Sequence, residues 1–454
     1  MSISGLIFAP MRVILILILG ISLSISASAQ EQSWADSILT SGFTYKLSPD
    51  GKSKVGFKYA MQMWIRHART NPGTLGFNGE PIDWFSDMVM RRNRLRLYTL
   101  LDDKIFFYTQ IGTNSERFDN VGGRFFFHDL NVMYALSGKK LRVGAGLSNW
   151  MGISRYTNVS FQFNYVHDHP VFNYPNIGRT DQAARIIGTW VTGQLGKFGY
   201  RMNFGKPFYF DNFSAIQNDS IVNVAGEYGT ETFSVNGYYT WSFLDTEQSW
   251  FPFYHMTRLG KKKILTLGAG FHYHPRSIAY LDDEFNRQIQ DRLQLGVDVM
   301  FDHPLNDGSV VNVYAVYYNY DMGPNFLRST SGIDGHKIDP DLADEYPQGG
   351  GLKQFTIGTG QIFHTQFGYL LPFTLGKRGR IMPFGTYTYH DFEGLAEPIW
   401  NYDAGFTYFI HGHNVKLTFE YQVRPVYRGT TGPNAIGEQE MQKGMYLMQI
   451  HFMI

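Results

Sequence analysis

Glu440-Met441-Gln442-Lys443-Gly444-Met445-Tyr446-Leu447-Met448-Gln449-Ile450-His451-Phe452-Met453-Ile454 is the stretch on which the fold turns. Taken alternately, Tyr446, Met448, Ile450, Phe452 and Ile454 are apolar and bulky, while Gln449 and His451 fall in the opposite register. That is one strand with an apolar face and a mixed face. Soluble sandwiches also make such strands, but here the alternation runs to the final residue. In outer-membrane barrels the last strand closes the cylinder and sets this register against lipid.

The rest of the chain repeats the pattern. Val55, Phe57, Tyr59, Met61, Met63 and Ile65 alternate with Gly56, Lys58, Ala60, Gln62, Trp64 and Arg66. The same holds for Leu293 to Phe301 and for Val415 to Val423, where Asp298, Asp302, Lys416 and Glu420 occupy the opposite register. Segments of roughly 9 to 14 residues suit tilted strands crossing a bilayer. Further candidates begin near Asp87, Lys104, Phe127, Lys140, Ala184, Phe198, Thr232, Lys262, Ser309, Gln361, Arg378, Trp400 and Glu440, with a weaker one at Ile221 to Glu227. Short turns at Asp102-Asp103, Ser137 to Lys139, Gly196-Lys197, His303 to Gly308, Pro372 to Lys377 and His411 to His413 alternate with long connections such as Asn149 to Gln182 and Asp321 to Gly360. Sixteen strands, without the weak candidate, put every short turn on one side, as barrels of this class require. Asp245 to Gly260 breaks the rule, being long on the short-turn side.

At the other end, Arg12, the apolar run Val13 to Ile25 and Ala27-Ser28-Ala29 read as a secretory signal peptide. Positions 1–29 are therefore expected to be the leader, 30–53 a short periplasmic segment and 54–454 the outer-membrane barrel. The run is shorter than the roughly 20 apolar residues of a membrane-spanning helix. Cys is absent, which excludes disulfides, thiolate metal sites and thiol nucleophiles. Lys and Arg total 40 against 39 Asp and Glu, and Arg12 is the leader's one charge, so the remainder balances. Total charge then says nothing of partners, and its distribution between strand faces carries the information.

Several segments resemble the phosphate-selective porin O and P family and related porins of Bacteroidota-type Gram-negative bacteria. Asp129-Leu130-Asn131-Val132-Met133-Tyr134 followed by Leu141-Arg142-Val143-Gly144 resembles that family's strand pair leading into its third loop, and Arg91 to Leu97 its arginine-rich second strand. Leu259 to Lys263 with Leu267 to Phe271, Tyr318 to Asn325, and Gly412 to Pro425 are similar as well. The resemblance implies an all-β, transmembrane antiparallel β-barrel of about 16 strands with its third loop folded into the pore, assembled as a homotrimer in outer-membrane lipid. Where the family follows its Val-Gly with a basic residue and a Pro-Phe-Gly turn, this chain has Ala145-Gly146-Leu147 and then Asn149-Trp150-Met151-Gly152. Phosphate selectivity is therefore not carried over.

If the apolar register faces lipid, the other lines the channel. Lys58, Arg66, Arg92, Arg94, Arg96, Arg142, Arg201, Arg292, Arg380, Lys416 and Arg424 then face inward against Asp129, Asp298, Asp302, Asp403 and Glu420. Arg92, Arg94 and Arg96 recur every second residue, about 6.8 Å apart along a strand. Such a row offers an anion successive weak sites. Arg155 and Arg179 lie in the third-loop candidate, together with His167-Asp168-His169, a weak metal-ligand pattern. Asp339, Asp341, Asp344 and Glu345 lack calcium-loop spacing. The expected function is a porin for small hydrophilic solutes with a preference for anions, phosphate among them. A weakly selective pore for neutral solutes such as short amides and a non-conducting binding or adhesion barrel are the alternatives. His272, His364 and His390 have no serine elbow beside them, so no enzyme is expected, nor a cofactor, a metal or a nucleic-acid partner.

Overall fold

The computed structural model describes residues 43–454 apart from 117–124, 150, 174–184, 208–221, 229–230, 248–252, 331–332 and 430–436. The expected leader at 1–29 and Arg179 lie outside the described residues.

The alternating segments become long antiparallel strands. In chain order they are β1 (Lys54–Arg69), β2 (Trp84–Leu101), β3 (Ile105–Glu116), β4 (Phe126–Ser137), β5 (Leu141–Asn149), β6 (Arg185–Leu195), β7 (Phe198–Pro207), β8 (Ser234–Ser242), β9 (Ile264–Leu281), β10 (Arg287–Pro304), β11 (Val310–Asp321), β12 (Gly360–Leu370), β13 (Arg380–Phe392), β14 (Ile399–His413), β15 (Val415–Tyr427) and β16 (Gln439–Met453). Each pairs with the next, and β16 pairs back onto β1 from Ala60 opposite Met453 to Ala68 opposite Met445. Tyr59 and Ile454 exchange both backbone hydrogen bonds at 2.9 and 3.0 Å. The wall is a closed cylinder of sixteen staves, with no open edge among them.

Two short pieces join the same sheet without becoming staves. Phe43–Lys46 forms a hairpin with the start of β1, and Gly226–Glu227, within the weak candidate segment, pairs with Ile278 and Ala279 alone among the described residues. The turn-parity argument that set that segment aside agrees with the wall.

Burial is inverted relative to a soluble protein. On β10, Leu295 and Val297 are 44% and 50% exposed, while Gln294 and Asp298 on either side of them are 0% and 3% exposed. A face of that composition is stable against hydrocarbon and not against water. Trp400 packs on Tyr389 and Tyr387, and Tyr421 on Tyr446, on the exterior of the long-loop half, where amphipathic rings suit a lipid headgroup boundary.

At the long-loop rim, residues 322–330 and 333–359 of loop 6 lie against residues 70–83 (loop 1). Lys337 and Ile338 pair with Leu75 and Thr74, and Arg424 on β15 donates to the carbonyls of Arg69 and Gly351.

Candidate functional site

Residues 151–173, the described part of loop 3, turn inward and cross the lumen. Gly152 accepts from Asn236 on β8 at 3.2 Å, and the loop then meets β9 and β10. Ile153 is buried with its carbonyl so close to Gly270 and Gly296 that a Cβ there would lie 2.4 and 2.8 Å away. Only glycine on β9 and β10 lets the loop backbone lie against the wall. Ser154 bonds Tyr318 at 2.6 Å, Tyr156 donates to Gln366 at 2.8 Å, and Tyr165 donates to Asn312 at 2.7 Å. Further along, Lys416 donates to the carbonyls of Gln162 and Asn164, and His167 pairs with Glu420 at 2.9 Å. Asp168 finally reaches β2, accepting from Arg91 at 3.1 Å and from Arg92 at 2.8 Å. The loop is thus tied around the inside from β9 to β2, as the fold expectation required.

The long segment on the short-turn side has a physical explanation. It enters the lumen from the opposite rim and meets loop 3. Val159 forms a parallel bridge with Tyr254, Tyr254 donates its N–H to Asn158 at 2.7 Å, and His255 stacks on Phe163. Arg155 forms an ion pair with Glu247, which also accepts from Arg258 at 2.8 Å. Met256 is buried, and its carbonyl accepts from Asn312. The lumen therefore holds two inserts bonded to each other, one from each rim.

Burial opposes the charge of Asp168, but the guanidiniums of Arg92 and Arg91 outweigh it and hold the carboxyl well below its usual range. For His167, burial again opposes charge, and the Glu420 carboxylate overcomes it, so that ring holds its proton above the usual 6.5.

The residues expected to line the pore fall into two sets. Lys58, Arg92, Arg94, Arg96 and Lys416 share one side of the interior, with Lys58 directly across from Arg96. Their guanidiniums already have protein partners: Arg92 also donates to Gln62 at 2.8 Å, Arg94 donates to Thr113 and Asn114, and Arg96 donates to Gln110 at 2.7 Å. Phe161 of loop 3 lies over Arg92 and Arg96, 5.2 and 4.9 Å from ring centre to guanidinium carbon. The others are elsewhere: Arg66 pairs with Asp87 at 2.6 Å, Arg201 lies over the Tyr254 ring, and Arg424 is at the long-loop rim. Arg142 and Arg380 face inward at the short-turn rim, bonded to the carbonyls of Gly138 and Leu371. Arg292 lies 3.5 Å from Glu227 on the far wall, and Arg155 is sealed against Glu247.

Two inward groups escaped simple alternation. The ladder between β1 and β2 shifts between Gln62 and Met63, so Arg91 bulges inward beside Arg92. A second shift puts His128 and Asp129 inward together, where Asp129 accepts from Arg185 at 3.1 Å. Both leave a trace in the sequence: outward residues run Met88, Met90 and then Leu95, Leu97, and Phe127 then Leu130, each with a change of parity. The inward residues had their own signal, because Phe253, Tyr254 and Met256 are unusually apolar for a turn. His167-Asp168-His169 divides between Glu420 and the arginines, and Asp339 caps a turn by accepting from Asp341 at 3.1 Å.

No protein-family model matches this sequence, and no curated protein matches it. Among solved structures, OprB of Pseudomonas putida aligns with a TM-score of 0.51 at 10% identity, over 88% of this chain and 94% of that one. An anion-selective porin from Comamonas acidovorans aligns at 0.48 and 11% identity, over 88% and 100%. Salmonella typhi OmpF in complex with daunomycin aligns at 0.48 and 10%, over 90% and 100%. At such identity the likeness to OprB concerns the fold alone. With sixteen closed staves, an apolar outer face and an infolded third loop, the chain is a multi-pass β-barrel of the outer membrane.

Proposed function

We propose that this protein is a passive outer-membrane porin for small hydrophilic solutes, with a preference for anions. The carrying observation is the charge of the side of the lumen that faces loop 3. Arg91, Arg92, Arg94, Arg96 and Arg185 stand there; Asp168 bonds Arg91 and Arg92, Asp129 bonds Arg185 and, through Gln110, is linked to Arg96, and Arg94 bonds Thr113 and Asn114. Fixed positive charge in a low-dielectric constriction raises the local concentration of anions and repels cations. Solutes would pass the partly exposed face of loop 3, formed by Phe161, Phe163, His167 and His169. In this reading the short turns face the periplasm and the barrels assemble as a homotrimer, as the resemblance implies.

A second reading is favoured by the bonds themselves: Arg91 and Arg92 are held by Asp168, so the row anchors loop 3 and leaves a weakly selective pore. Reversal potentials in planar bilayers under a potassium chloride gradient separate the two. Chloride permeability well above that of potassium supports anion preference, and equal permeabilities reject it.

A further inference from the structure

Behind Phe161, three neighbouring interior side chains are buried with polar atoms that meet no partner. Gln62 and His451 are directly opposed on β1 and β16, and Gln449 faces Trp64 one step along the same seam. All three are 0% exposed. The carbonyl oxygen of Gln62 is committed to Arg92 at 2.8 Å, and that of Gln449 to the indole N–H of Trp64 at 2.7 Å. These bonds fix which way each amide points, so what remains on both is the NH2 donor. Nε2 of Gln62, Nε2 of Gln449 and both ring nitrogens of His451 have no hydrogen-bond partner.

The charges around this spot are uncompensated. Lys416, opposite His451 on β15, is 0% exposed, and its partners are the carbonyls of Gln162 and Asn164. Arg96 is 9% exposed and donates to the amide oxygens of Gln110 and Gln162. Among the described residues, neither forms an ion pair with a carboxylate. The groups acting electrostatically on His451 are Lys416, Arg96, His413 and Arg92. The nearby acids are spent: Asp168 serves Arg91 and Arg92, Glu420 serves His167, and Asp129 serves Arg185 and Gln110. Buried cations without countercharge, and buried donors without acceptors, are each costly, and one ligand removes both costs if it is negative and accepts hydrogen bonds.

We propose that Gln62, Gln449 and His451, flanked by Arg96 and Lys416, form a discrete binding site for a small inorganic anion, with the ring of Phe161 as its cover. A neutral sugar or amide fits less well, because the spare amide groups are donors and the flanking charges are all positive. Phe161 is half-buried, within van der Waals range of the guanidiniums it covers and 5.9 Å from His451. Rotation of that ring admits the ion from the lumen. The inference deepens the channel reading by giving its anions a resting place, and it needs that reading only for access through the lumen.

The test uses the purified full-length barrel in detergent. Chloride is titrated against gluconate at constant ionic strength while the thermal midpoint is followed, and crystals grown in bromide are examined for anomalous scattering. The expected results are a saturable rise of the midpoint with chloride, its loss when Gln62→Leu and Gln449→Leu are combined, and a bromide peak within hydrogen-bond reach of both Nε2 atoms. A midpoint indifferent to chloride, an unchanged rise in the double variant, or water alone at the site overturns the proposal. The bromide map needs no variant, so failure of the double substitution to assemble leaves the question decidable. An occupied site in a barrel whose current shows no anion preference would reject the selectivity and keep the site. A selective current past an empty site would do the reverse.

Discussion

Nη2 of Arg92 donates to both carboxylate oxygens of Asp168, at 2.8 and 3.0 Å, and thereby ties the far end of the third loop to the second strand. Arg91 reaches the same carboxylate because of the bulge in that strand, so one acid neutralises part of two cations. Asp168→Asn should therefore have two effects. Anion selectivity should rise, since a negative charge leaves the basic face. Stability should fall by about 3 to 5 kcal/mol, the usual consequence of removing one partner of a buried pair. Bilayer reversal potentials and urea unfolding of the purified barrel would measure the two independently.

Neutralising the row itself should act in the opposite direction on selectivity. Arg92→Gln, Arg94→Gln and Arg96→Gln together should lower the chloride-over-potassium permeability ratio. The parent's own selectivity should weaken in concentrated salt, as the Debye length contracts from about 10 Å at 0.1 M to about 3 Å at 1 M. Identical reversal potentials for triple variant and parent would make the row purely an anchor for the loop.

The two inserts predict a coupling across the lumen. Because Arg155 on loop 3 and Glu247 on the opposite insert are each buried, Glu247→Ala leaves Arg155 a buried charge, Arg155→Ala leaves Glu247 to the partly exposed Arg258 alone, and the double substitution removes both buried charges. The double variant should be no less stable than the worse single one. Single-channel records of Glu247→Ala should be noisier than the parent's, reporting a loosened pair of inserts. Additive losses in the mutant cycle would mean that the two segments do not support one another.

His167 gives the pair with Glu420 a defined pH dependence. Its folded pKa is raised above 6.5, so its contribution is complete below about that value and disappears as pH rises through the raised folded value. Protease digestion of the folded barrel should cut loop 3 faster at pH 8.5 than at pH 5.5 in the parent. His167→Gln should abolish most of that difference; an unaltered difference would place the titrating group elsewhere.

Outside the barrel the expectation is simpler. Val297→Arg, at a half-exposed position in the middle of β10, should cost about 2 to 4 kcal/mol if it lies near the bilayer midplane. Phe452→Asp with Ile454→Asp should lower the amount of assembled protein in the outer membrane, measured by heat-modifiable electrophoresis. Normal assembly of the latter would contradict the lipid-facing assignment of the closing strand.

The wall was legible because period-two alternation is imposed by two different solvents on two faces, and Leu293 to Phe301 shows this without interruption. The same rule put lysine and arginine in the opposite register. What alternation could not supply was anything nonlocal. It gave no indication that Asp168 would meet Arg92, or that Glu247 and Arg155, 92 positions apart, would meet inside the lumen. Arg91 escapes alternation for a narrower reason: one extra residue in a strand reverses the parity of everything beyond it, so phasing on Leu95 and Leu97 puts Arg91 outside while phasing on Met88 and Met90 puts it inside. By length alone the segment 245–260 reads as an anomalous turn; its aromatic content is the mark of an insert.

The seam between β1 and β16 bears on how the molecule comes into being. Trp64 and Gln449 share a hydrogen bond of 2.7 Å across 385 intervening steps of chain. Contacts of such high sequence separation are won only after a large loop-closure entropy has been met, and topologies dominated by them fold slowly. Until the last strand has been synthesised and delivered, the first has an unpaired edge and no partner that can cap it. The cylinder therefore has no stable half-built form in hydrocarbon, where every unpaired N–H and C=O is penalised. Assembly is a post-translational event, and the waiting chain has to be kept from pairing with its neighbours until both ends can meet.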